Sequence, residues 1–206
     1  MLRSVKLELA QLISIIANFV TASAFAALSW LFVDALVIRI EIKTLLKTFG
    51  FGFLTLAFAL NLVQTFSNLG LTQMNLYLWL AGIGLWLIFA AFILDPHCKL
   101  QFLVILAIVL LIFLKGNALL SMQAFLIAAT ILQIAYFTKH KDLIPMVVAF
   151  VLVAIGEFFY SLQKQTALGN LQTGGDFLYI FASIALFWWL WQYLVIRFNL
   201  QRKTAF

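Results

Sequence analysis

Apolar side chains run along this chain in stretches long enough to cross a bilayer, each closed by a short polar or charged break. A helix rises 1.5 Å per residue, so roughly 20 apolar residues span a hydrocarbon core of about 30 Å. The pattern predicts seven such helices, over residues 12–33, 48–68, 76–94, 100–114, 118–138, 143–162 and 177–196. Asp34 and Arg39 close the first, Lys43 and Lys47 precede the second, and the third carries no charge. Asp95-Pro96-His97-Cys98-Lys99 then ends the helix, because proline has no N–H to donate and restricts the residue before it. The fourth segment is short by itself and is completed by Lys115, whose aliphatic stem lets its charge reach the surface. Pro145 falls in the first turn of the sixth, where its missing donor costs nothing.

Composition sharpens this to a class. Hydrophobic residues make up 66% of the 206, charged residues only 10%, and mean hydropathy is +1.12; soluble domains carry about a quarter charged residues. The expected fold is all-α, a single integral membrane domain over 1–206 built as a seven-transmembrane-helix bundle. The chain is accordingly a multi-pass protein of a cell membrane, with membrane lipids as its surroundings.

Basic loops stay on the cytoplasmic side. Alternate loops hold Arg39, Lys43, Lys47, Lys99, Lys139, Lys141, Arg197, Arg202 and Lys203 on one side, against Arg3, Lys6, Lys115 and Lys164 on the other. The imbalance predicts a cytoplasmic C-terminus and, with seven crossings, an external N-terminus. The net charge of +6 is spread over helix flanks, with no clustered, aromatic-interleaved patch, so no nucleic-acid partner is expected and contact with anionic headgroups is. Arg3 and Lys6 precede a long apolar run, but Glu8 interrupts it and no small-residue cleavage site follows, so the run is read as a retained helix and not a signal peptide. The single Cys98 excludes an intramolecular disulfide and is read as an unreactive thiol.

Several membrane chemistries lack their residues. The two histidines, His97 and His140, lie in loops, which disfavours haem ligation. The last helix has no lysine for a retinal Schiff base. Zincin, P-loop and Gly-x-Ser-x-Gly signatures are absent. No cofactor, metal site or catalytic residue is therefore assigned.

What remains is a scatter of polar groups in apolar surroundings. Asn18, Thr21, Ser23, Gln123, Thr130 and Gln133 fit a role as interhelical hydrogen-bonding groups. Asn61 and Gln64, near Ala57 and Gly52, fit that role or the lining of a small polar cavity. A carboxylate motif is written twice, as Gly156-Glu157-Phe158-Phe159-Tyr160 and as Gly175-Asp176-Phe177-Leu178-Tyr179. A carboxyl in hydrocarbon costs several kcal/mol unless protonated or paired, so Glu157 needs a partner; Tyr160 and Ser161, on its own helix face, are the nearest candidates. Asp176 is read either as a helix cap or as a functional group. The candidate ligand-binding residues are thus Glu157, Tyr160, Asp176, Tyr179, Asn61 and Gln64. The two motifs are expected to face one cavity at the outer end of the last hairpin, beneath a loop from Gln163 to Gly175.

Those motifs, with the glycine-bearing polar loop between them and the long aromatic-aliphatic helix that follows, resemble the last hairpin of the seven-helix membrane sensor regions attached to bacterial and archaeal histidine kinases and diguanylate cyclases. The resemblance covers about fifty residues. It implies a prokaryotic cytoplasmic membrane, and a region that binds an extracytoplasmic or membrane-borne small ligand and signals to a cytoplasmic catalytic domain. Here three residues follow Arg202-Lys203, so no output domain is expected and signalling would run through a cytoplasmic or membrane partner chain. A small-molecule carrier is the alternative, although no inverted repeat or paired helix break marks a transport site. A membrane-embedded lipid-modifying enzyme using Glu157 and Asp176 as acid and base is the second alternative.

Overall fold

The computed structural model describes residues 2–38, 40–67, 72–100, 102–166 and 170–204, with the side chains of 2–8, 67, 72–75, 111, 170 and 197–204 outside the description. Arg39 and Asn68 lie outside the described residues, as do the side chains of Arg3, Lys6, Glu8, Arg197, Arg202 and Lys203. The protein is all-α. Its helices are α1 (Leu2–Ile38), α2 (Ile42–Ser67), α3 (Thr72–Ile93), α4 (Phe102–Phe113), α5 (Asn117–Thr138), α6 (Ile144–Thr166) and α7 (Asn170–Thr204). A 3-10 turn at Lys141–Leu143 leads into α6, and Pro145 occupies the first turn of that helix as expected.

Six of the seven helices are long and apolar enough to cross a membrane. The exception is α4: its 12 residues extend only about 18 Å, short of the ~30 Å hydrocarbon layer. Most of its side chains are exposed, Ile105 and Ile112 among them, and among the described residues its backbone approaches α5 only.

A shared cavity wall and a few side-chain bonds fix the directions of the helices other than α4. Ser14, Asn61, Tyr77, Asn117, Lys164 and Gln172 all border one cavity, so the starts of α1, α3, α5 and α7 meet the ends of α2 and α6. We call this the near end. At the far end Gln133 of α5 clamps the break after α3: its Oε1 accepts from the Lys99 N–H at 3.1 Å and its Nε2 donates to the His97 carbonyl at 3.2 Å. Helices α3 and α5 are therefore parallel, and the segment from Lys99 to Gly116 returns from far end to near end beside α5. Gly116 makes the turn into α5 with φ +62°.

Lipid tails are as apolar as leucine, so helices in a bilayer associate through close packing and interhelical hydrogen bonds rather than burial. Two glycine contacts supply the packing. Gly50 of α2 and Gly84 of α3 abut so closely that a Cβ on Gly84 would lie 2.8 Å from the Gly50 carbonyl oxygen. Gly156 of α6 and Gly175 of α7 form the second, with a Cβ on Gly175 falling 3.3 Å from the Gly156 carbonyl. Between them the mid-bundle core is filled by Phe25, Phe51, Phe58, Phe150, Leu54, Ile88 and Met146, all buried. Phe51 stacks on Phe32 at 5.5 Å and contacts Phe25 at 6.0 Å.

Two expectations are corrected. The stretch from Gln163 to Gly175 is not a loop: α6 continues to Thr166 and α7 resumes at Asn170, with 167–169 outside the described residues. Gly174 and Gly175 do not break α7, because they pack under Phe159 and Tyr160 and let two helices approach. In consequence Asp176 lies well inside α7 and is not its cap.

Candidate functional site

At the near end six helices surround a polar cavity of about 290 Å³. Ser14 comes from α1, Asn61 and Thr65 from α2, Tyr77 from α3 and Asn117 from α5. Tyr160, Gln163 and Lys164 come from α6 and Gln172 from α7. Every one of these nine residues bears a polar side chain, in a chain two-thirds hydrophobic.

Beneath the wall sit the two carboxylates, Glu157 and Asp176, 2% and 1% exposed. Glu157 is saturated with donors. Its Oε1 accepts from the Tyr77 hydroxyl at 2.7 Å and the Tyr179 hydroxyl at 2.6 Å, and its Oε2 accepts from Asn117 Nδ2 at 2.6 Å. The Asn117 carbonyl oxygen in turn accepts from Lys164 Nζ at 2.6 Å, so one amide links the buried carboxyl to a cation at the cavity mouth. Asp176 accepts from the Tyr160 hydroxyl at 2.5 Å, with Ser14 of α1 close by. Such pairing is what a carboxyl taken out of water requires.

The repeated motif explains this pairing. Gly156 and Gly175 bring α6 and α7 together, Tyr179 lies over Gly156 and Tyr160 over Gly175. Each tyrosine thus reaches the carboxylate of the opposite helix. Sequence spacing places Tyr160 beside Glu157 and Tyr179 beside Asp176 on their own helices; the hydrogen bonds run crosswise instead, because the antiparallel hairpin has a local two-fold relation that exchanges the two motifs. The two sites then diverge through their neighbours: Glu157 gains α3 and α5, while Asp176 gains α1. Phe58 holds the tyrosines edge-on, 5.8 Å from Tyr77 and 5.0 Å from Tyr179.

Of the six residues expected at the site, Asn61 and Tyr160 line the cavity, whereas Glu157, Asp176 and Tyr179 lie behind its wall. Asn61 Nδ2 donates to Asn18 Oδ1 at 2.9 Å, and Asn18 Nδ2 donates to the Ser14 carbonyl at 2.8 Å, extending the network along α1. Gln64 is not on the wall, and its Nε2 is buried with no hydrogen-bond partner. The cavity imagined around Asn61, Gln64, Ala57 and Gly52 does not form: Ala57 is fully buried, and Gly52 borders a separate apolar crevice with Ser29 and Trp30. Tyr77, Asn117 and Lys164 are the functional candidates that sequence reasoning missed. Among the described residues no cluster of His, Cys, Asp and Glu has metal-binding geometry.

No protein-family model matches the chain, and neither a curated protein nor a solved structure does.

Proposed function

We propose that the chain crosses a prokaryotic cytoplasmic membrane seven times with its N-terminus outside. On this reading the near-end cavity takes up a small hydrophilic ligand from the external side and reports its occupancy to a partner chain. The observation that carries it is that every residue lining the cavity bears a polar group, since polar groups at membrane depth are expensive and tend to mark functional sites. The return of the segment from Lys99 to Gly116 alongside α5 supports a seventh crossing. The distribution of lysines supports the orientation: Lys115 and Lys164 belong to the near end, and Lys43, Lys47, Lys99, Lys139 and Lys141 to the far end.

Three features favour a sensor. Below the cavity the buried core of the described residues is built largely from phenylalanine and aliphatic side chains, which weighs against a carrier. Both carboxylates are engaged behind the wall rather than presented to a substrate, which weighs against an acid–base enzyme. Helix α7, 35 residues and therefore about 52 Å long, exceeds the bilayer core and joins the Asp176 region to the opposite surface. The hairpin motifs add their resemblance to kinase and cyclase sensor regions.

The wall predicts the ligand's chemistry. Lys164 offers one cation, and the amides and hydroxyls around it offer donors and acceptors, which fits a small solute bearing an anionic group. The test is thermal unfolding of the purified protein against amino acids, short carboxylates, sugars and phosphate esters. One class is expected to stabilise it, by about 2.7 kcal/mol at a hundredfold excess over Kd, and Lys164→Gln is expected to abolish the effect. Accumulation of the stabilising solute in proteoliposomes would replace the sensor with a carrier; no stabilisation by any class would remove the ligand reading.

A further inference from the structure

A second cavity lies outside the polar site, on the membrane-facing side of the bundle between α3 and α5. It encloses about 550 Å³, within the roughly 300–1,000 Å³ typical of small-molecule sites. Its walls are apolar, formed by Trp79, Ile83 and Trp86 of α3 and Leu119 and Leu120 of α5. It exists because the backbone of α4 runs close to α5 and not to α3 among the described residues, and because Gly82 contributes no side chain where α3 faces Leu120 and Gln123.

Two polar groups are inconsistent with an ordinary apolar crevice. Gln123, 4% exposed, borders the cavity with both Nε2 and Oε1 lacking any hydrogen-bond partner. Buried amides are nearly always satisfied, because a buried donor or acceptor left without a partner loses the hydrogen bonds it made to water. Lys115 borders the same cavity at its near-end rim with its side chain exposed. Seven residues of helix from Gly116 place Gln123 about 10 Å deeper than the rim. A cation at the surface, an amide one layer below it and apolar walls throughout match the order of groups along a phospholipid: phosphate, ester carbonyl, acyl chain.

We propose that this groove binds one anionic phospholipid from the near-end leaflet, with its phosphate at Lys115, an acyl chain against Trp79 and Trp86 and, on a turn of the buried Gln123 amide toward the groove, an ester carbonyl on its Nε2. The lipid satisfies an amide donor that the protein leaves unpaired, which distinguishes it from the exchanging lipids around the bundle. The groove shares no lining residue with the polar cavity and does not depend on its ligand.

The test is native mass spectrometry of the full chain, extracted from vesicles of equal phosphatidylglycerol and phosphatidylethanolamine. The wild type is expected to retain one lipid per chain, enriched in phosphatidylglycerol. Gln123→Leu is expected to lower retention roughly tenfold, the worth of one buried hydrogen bond, and to raise thermal stability in lipid-free detergent because the unpaired amide is gone. Gly82→Phe is expected to abolish retention by filling the groove, and Lys115→Gln to remove the headgroup preference. Equal retention by wild type and Gln123→Leu would overturn the proposal. So would a lipid-free wild type, or a lipid-free dimer indicating that a second copy covers the groove.

Discussion

That Glu157 must find partners was legible from sequence, because an ionisable group in an apolar run carries an energetic cost unless it is paired. The partners themselves were not legible. Tyr77 and Asn117 are 80 and 40 positions away, and nothing local sets them apart from an interfacial tyrosine or a helix-start asparagine. The resulting network makes a specific demand on substitution. A glutamine at 157 can still accept from both tyrosines, but its Nε2 then faces Asn117 Nδ2, a donor opposite a donor, while the Asn117 carbonyl is occupied by Lys164. Glu157→Gln is thus expected to cost about 1–3 kcal/mol and to uncouple Lys164 from the buried site. Glu157→Ala, which strands two hydroxyls and an amide, is expected to cost roughly 3–5 kcal/mol. Denaturation of both variants in detergent checks the order; equal stability would mean the network adds nothing.

At the scale of elements, apolar periodicity placed all seven helices to within a few residues at most ends, since each apolar run must satisfy its own backbone bonds in lipid. It missed the leading turns of α1, which starts at Leu2 rather than 12, and of α2, which starts at Ile42 rather than 48, and the last turns of α7, which runs to Thr204 rather than 196. It also misplaced the facing ends of α6 and α7, where polar residues and paired glycines read as a loop although packing keeps them helical. The glycine contacts yield a direct prediction. Gly84→Ala puts a methyl 2.8 Å from the Gly50 carbonyl and 3.1 Å from Leu54 Cγ, so it should separate α2 from α3 and cost about 1–3 kcal/mol. Gly52→Ala, with ordinary contact to Ser29, should cost little; comparable losses in the two variants would contradict the account. The break after α3 depends on Asp95, whose Oδ1 accepts from the His97 N–H at 3.0 Å and lies 3.0 Å from the His97 ring. Partial burial alone would raise this carboxyl, but the two His97 hydrogen bonds, with Lys47 and Lys43 nearby, outweigh it and hold it below its ordinary value of 3.8. A depressed carboxyl stabilises the fold above its unfolded pKa and loses that contribution as pH falls through the folded one. The unfolding temperature of Asp95→Asn should therefore lie below wild type at neutral pH, and the gap should narrow below about pH 4.

At the scale of the whole molecule, six membrane-length helices, one short apolar helix and a one-ended polar cavity follow from a few constraints. Backbone bonds are made within helices, carboxylates are taken up by donors from neighbouring helices, and glycines sit where helices touch. The bundle was legible in the apolar pattern, and the close packing of the last hairpin in its doubled motif. The convergence of six helices on one cavity was not, because it depends on contacts between residues distant in sequence. The central claim is that this cavity faces outward and is closed from the cytoplasm. Buried Cys98 is first replaced, as Cys98→Ser. Then Thr65→Cys and Gln163→Cys at the cavity and His140→Cys at the far end are exposed in intact cells to a membrane-impermeant thiol reagent. The account predicts labelling of the two cavity positions from outside and of position 140 only after permeabilisation; labelling of position 140 in intact cells, or of the cavity positions only after permeabilisation, would contradict it.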